Sequence, residues 1–130
     1  MKKTADELVR RLKSAGFIVQ RYDAYSTASV YLKLDYGLVY SVRISDHPGK
    51  TQLRYTFNLI QDYKGKPLVK QQGVWRLYYS FNQIDKLFTS ILEKRDWVKK
   101  NYHPNYETDM ENARIENQNN PGFWSKAIIV

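Results

Sequence analysis

The chain contains no cysteine, which removes disulfide bonds and thiolate metal sites and makes a reducing compartment, the cytoplasm, the expected location. It has only two histidines, His47 and His103. Its acids up to the last helix fall mainly at turns and helix ends, as Asp23, Asp35, Asp46 and Asp62 do, so no strand carries the paired carboxylates that two-metal hydrolysis requires. No stretch approaches the roughly 18 consecutive apolar residues of a membrane-spanning helix. The first residues are two lysines followed by polar side chains rather than an apolar signal core, so no membrane contact is expected. The six glycines are dispersed, which leaves no phosphate-cradling glycine loop. One tempting trio, Ser45, Asp46 and His47, consists of consecutive residues, whose side chains do not align in a proton relay. It reads as turn chemistry. The expectation is a protein that is not an enzyme, with no cofactor and no metal.

What the chain does have is positive charge, unevenly placed. Residues 1–102 hold 19 Lys or Arg against 9 Asp or Glu, whereas residues 103–130 hold 2 against 4. A basic domain over 1–102 followed by an acidic, partly disordered tail over 103–130 with an apolar end is therefore predicted. A basic body of this size favours a polyanionic partner, either nucleic acid or an acidic protein surface.

Periodicity places the elements. Thr4 and Glu7 form a capping-box pattern ahead of an apolar stripe at Ala5, Leu8, Val9, Leu12 and Ala15, and Gly16 is suited to a left-handed C-cap, so a helix is predicted over 4–15. Residues 17–23 read as a strand. Residues 29–47 read as a hairpin joined at Asp35-Tyr36-Gly37 and closed by a turn at Asp46-His47-Pro48-Gly49. Strict alternation turns Val30, Leu32, Leu34 and Tyr36, then Leu38, Tyr40, Val42 and Ile44, to one face, and Tyr31, Lys33 and Asp35, then Val39, Ser41, Arg43 and Ser45, to the other. Residues 51–60 alternate again, with Arg54 among the polar set. Residues 61–73 form a polar loop bearing Lys64, Lys66 and Lys70, and 74–79 is a further strand. Ser80 and Gln83 make a second capping box before a wide apolar stripe that predicts a helix over 81–101. Residues 106–117 have weak helical character. The apolar end, Phe123 to Val130, either folds back, adds an edge strand or docks on another chain.

These elements predict an α+β fold: an antiparallel sheet of four to five strands, with helices about 4–15 and 81–101 on one face and a C-terminal tail. The opposite face then presents Tyr31, Lys33, Arg43 and Arg54. Arg76 joins them if the parity of its strand allows. Basic side chains interleaved with tyrosine suit phosphate contact and base stacking, and Lys64, Lys66 and Lys70 would supply a secondary contact.

The segments Ser29-Val30-Tyr31-Leu32 and Val42-Arg43-Ile44-Ser45-Asp46-His47, followed by Ser80-Phe81-Asn82-Gln83-Ile84-Asp85 at a helix start, resemble a pattern found in small phage and prophage proteins of Gram-positive bacteria. Some proteins with this strand pattern are type II-A anti-CRISPR proteins, inhibitors of Cas9. The likeness covers residues 26–95. It implies a phage-encoded inhibitor acting in the bacterial host cytoplasm, one that binds Cas9, or another bacterial defence complex, with its guide RNA and blocks DNA binding or cleavage without catalysis. No catalytic residue is implied. The alternative is a nucleic-acid-binding accessory protein of a phage or mobile element using the same face.

Overall fold

A computed structural model describes residues 2–24, 27–58, 74–118 and 123–130. The chain begins with helix α1, Lys2–Ser14, whose Ala5, Leu8, Val9 and Leu12 are buried as the stripe requires. Gly16, at φ +89°, ends it. The Phe17 N–H bonds the Leu12 carbonyl and the Gly16 N–H the Lys13 carbonyl, both at 3.0 Å, which satisfies the last helical carbonyls through a left-handed residue. The helix starts before Thr4, so Thr4 lies inside its first turn and does not cap it. Glu7 instead takes Arg10 at 2.6 Å and Arg11 at 2.9 Å.

Strands β1 (Val19–Ala24), β2 (Ser29–Leu34), β3 (Ser41–His47), β4 (Lys50–Asn58) and β5 (Val74–Tyr79) form an antiparallel meander, and β6 (Ile128–Ile129) closes its other edge. The spatial order is β5-β4-β3-β2-β1-β6. Helix α2 (Ile84–Asn101) follows a 3-10 turn at Phe81–Gln83, where the Gln83 side chain accepts the Ser80 N–H at 3.0 Å as a capping box should. Helix α3 spans Tyr106–Gln118.

The α+β class and the single antiparallel sheet match the expectation; the counts do not. Among the described residues the sheet has six strands rather than four to five, and there are three helices rather than two. The sixth strand comes from the apolar end, which pairs Ile128 and Ile129 with Arg21 and Gln20, and the Val130 N–H reaches the Val19 carbonyl at 3.0 Å. The third helix has no fully buried side chain. It docks through polar bonds at its two ends, which hydrophobic periodicity does not register.

One face of the sheet carries the core. Val30, Leu32, Leu34, Val42, Ile44, Leu53 and Tyr55 pack with Leu8 and Leu12 of α1 and Leu87, Ile91 and Val98 of α2 in one cluster. Burying side chains of this size is worth roughly 1.5–3 kcal/mol each before entropy is charged. The hairpin corner departs from the expected alternation. Asp35, Tyr36 and Tyr40 all have positive φ, and two consecutive turns, Leu38 N–H to Asp35 and Tyr40 N–H to Gly37, occupy the segment. Strand β3 therefore begins at Ser41. Val39, expected outward, is fully buried beside Tyr40 because a turn has no period of two.

Candidate nucleic-acid interface

Register builds the site. Tyr22 pairs with Tyr31, Tyr31 with Arg43, Arg43 with Arg54, and Arg54 with Tyr78. Directly opposed residues of antiparallel strands share a face, so these five side chains form one row across five strands, away from the core. Strands lie about 4.8 Å apart, so the row spans about 19 Å. A second row runs beside it: Gln20, Lys33, Ser41, Thr56 and Arg76. Pairing with Thr56 resolves the parity of β5, since it places Arg76 on the face of Arg54.

The three arginines are set differently. The Arg43 Nε–H donates to Ser29 Oγ at 3.1 Å, and its guanidinium carbon lies 5.3 Å from the Tyr31 ring centroid. Ser29 is itself buried, donates to the Thr27 carbonyl at 3.1 Å and lies 3.5 Å from Ser45 Oγ. This serine pair fixes the direction of Arg43. Arg54 lies between Arg43 and Arg76 and is half-buried, with an Nε that has no hydrogen-bond partner. Burial first, and then the like charges of Arg43 and Arg76, hold its pKa below the ordinary guanidinium value. Arg76 is exposed, and the neighbouring Tyr78 is 57% exposed. Thr56 Oγ1, next to Arg76 in register, is buried without a partner.

The other arginines follow another rule. Arg10 and Arg11 sit on Glu7, Arg11 also on Asp85, Arg21 on Asp6 and Asp23, and Arg114 on Glu111. Arg95 donates to the Ala15 carbonyl at 2.6 Å. Among the described residues no carboxylate pairs with Arg43, Arg54 or Arg76. Three adjacent cations with no counter-ion among the described residues repel one another. An external anion would relieve that repulsion.

Lys33 is placed on this face as expected, but its amine is engaged within the chain. Nζ donates to Asn117 Oδ1 at 2.5 Å and lies 5.5 Å from the Trp124 ring centroid; burial lowers its pKa. Tyr31 meets Trp124 edge-on, at 6.3 Å and 90°. The end of α3 and the 3-10 turn Phe123–Lys126 thus bound the interface on the β1 side, leaving the three arginines and Tyr78 as its open part. Lys64, Lys66 and Lys70 lie outside the described residues. Sequence reading missed Tyr22, Tyr78 and Gln20, whose parity follows once register is known. It also missed Asn117 and Trp124, which approach from the far end of the chain.

Ser45, Asp46 and His47 do not converge. As successive residues of β3 they alternate in direction: Ser45 is buried near Ser29, Asp46 Oδ1 accepts the Thr51 hydroxyl at 3.3 Å, and His47 Nδ1 lies 3.3 Å from the Pro48 carbonyl. Among the described residues there is no group of three or more His, Asp or Glu able to hold a metal ion. No helix among them is long and apolar enough to cross a membrane. Comparison of the chain with protein-family models, curated proteins and solved structures returns no match.

Proposed function

We propose that the protein is a non-catalytic nucleic-acid-binding protein that grips phosphates with the open face of its sheet. The observation that carries this reading is the contiguous set Arg43, Arg54 and Arg76, free of carboxylate partners among the described residues, whereas Arg10, Arg11, Arg21 and Arg114 are ion-paired and Arg95 is bonded to a backbone carbonyl. Tyr78 beside them offers a ring to a base. Binding to labelled RNA and DNA over a salt series is the test. Three phosphate contacts imply that log K falls with log salt at a slope of about −2 to −3. Replacing Arg76 with alanine should flatten that slope by about one. A slope near zero, or no binding at low salt, rejects the reading.

The resemblance of the hairpin 29–47 supports a second reading with the same face: a phage-encoded inhibitor that occupies guide-loaded Cas9 and blocks DNA binding or cleavage. Co-purification with guide-loaded Cas9, together with no affinity for free nucleic acid, would decide for it.

A further inference from the structure

At the end of the face away from Arg76, the second row of residues runs into a concavity. Gln20, directly opposite Lys33 in register, forms one wall. Tyr36, Arg114, Asn117, Trp124 and Ile129 form others, around a volume of about 280 Å³. That lies just below the roughly 300–1,000 Å³ range of drug-sized pockets, so it suits a single ring system.

Gln20 is 8% exposed, and its Oε1 is buried with no hydrogen-bond partner. A buried acceptor left without a donor bears its desolvation cost uncompensated and is uncommon enough to need a reason. The neighbouring Asn117 shows the contrast. Its Oδ1 accepts Lys33, and its Nδ2 donates to the Ala113 carbonyl at 2.6 Å and the Tyr36 carbonyl at 3.3 Å. One amide is fully used within the chain; the other is left over at the pocket.

We propose that this concavity receives one unpaired base of a single-stranded RNA or DNA whose backbone runs along the arginine face. The inference rests on the nucleic-acid reading above and narrows it from any duplex or strand to a strand with exposed bases. A base supplies polar ring-edge groups to the Gln20 amide, once that side chain turns its buried oxygen toward the opening, and a flat surface to the Trp124 wall. Arg114, its guanidinium held by Glu111, lines the same opening, where the sugar of the flanking nucleotide would pass. Duplexed bases cannot enter, since their edges are paired and their faces stacked.

The test is fluorescence anisotropy of the full chain with a labelled oligonucleotide of about a dozen residues, single-stranded and as the matching duplex, each as RNA and as DNA. The wild type should prefer the single strand by about tenfold, the size of one stacked and hydrogen-bonded base. Gln20→Leu removes the unpartnered oxygen at similar volume, so the protein should fold at least as well while losing the preference, its single-strand affinity falling to that for the duplex. Arg114→Ala, a change at a partly exposed residue, should reduce the preference likewise and carries the test if the first variant does not fold. Equal affinity for single strand and duplex, or a preference that survives both substitutions, overturns the pocket and leaves the arginine face standing. Binding to neither form overturns both.

Discussion

Replacing Asp35 with alanine is expected to cost about 3 kcal/mol of folding stability and to lower the melting temperature by roughly 10 °C. Asp35 is 3% exposed. Its Oδ1 accepts the Ile18 N–H at 2.8 Å and its Oδ2 accepts the Tyr106 hydroxyl at 2.5 Å, while its own N–H reaches the Ile18 carbonyl at 2.8 Å. One side chain therefore ties the entry to β1, the hairpin corner and the start of α3. Alanine would leave the Ile18 N–H and the Tyr106 hydroxyl facing a methyl group. Urea unfolding of the two proteins measures the difference; a loss below about 1 kcal/mol would mean that α3 is held by something else.

The same bond gives a pH dependence of known sign. Burial, and then the bond to Asp35, hold the Tyr106 phenol well above the usual tyrosine range. The folded protein thus keeps this proton to higher pH than the unfolded chain, whose tyrosine titrates near 10. The contribution is complete below about pH 10 and is lost as the pH rises beyond it, by at most about 1.4 kcal/mol per pH unit. Tyr106→Phe lacks the proton, so its stability deficit relative to the parent should shrink between about pH 9 and 11. A constant deficit across that range would refute the assignment.

What could be read from sequence followed locality. Tyr31, Lys33 and Arg54 are legible on the outer face because β2 and β4 alternate without interruption and are paired on both sides, so the pleat alone determines direction. Arg76 has no face legible in sequence, since Val74-Trp75-Arg76-Leu77-Tyr78-Tyr79 has large apolar residues at both parities; its pairing with Thr56 decides. The corner at 35–40 misleads because one glycine, Gly37, announces it, whereas Asp35, Tyr36 and Tyr40 also have positive φ and Asp35 is held by bonds to Ile18 and Tyr106 that are distant in sequence. Lys33 shows the same limit at the site. Nothing near it in the chain indicates that Asn117, 84 residues on, takes its amine. Helix α3 and β6 rest on such distant polar and edge contacts, which no window of local pattern contains.

Arg54→Glu should move two measurements in opposite directions. Arg54 is flanked in the sheet by Arg43, directly opposite, and by Arg76, diagonal to it across β5, and no carboxylate answers it among the described residues. A glutamate there replaces two repulsions with two cross-strand attractions, each worth roughly 0.2–1 kcal/mol. It also removes the buried Nε that lacks a partner. The variant should therefore melt at or a few degrees above the parent temperature. Its affinity for nucleic acid should fall by about a hundredfold or more, because the centre of the phosphate-binding row reverses sign, and its salt slope should flatten by about two. Arg43→Glu makes the poorer probe, since it also breaks the bond to Ser29 at 3.1 Å and confuses lost folding with lost binding. A variant that gains stability and loses its ligand leaves no route through unfolding, so the charge at this position is then held for the partner at the fold's expense. If Arg54→Glu binds as tightly as the parent, the arginine face is not the interface.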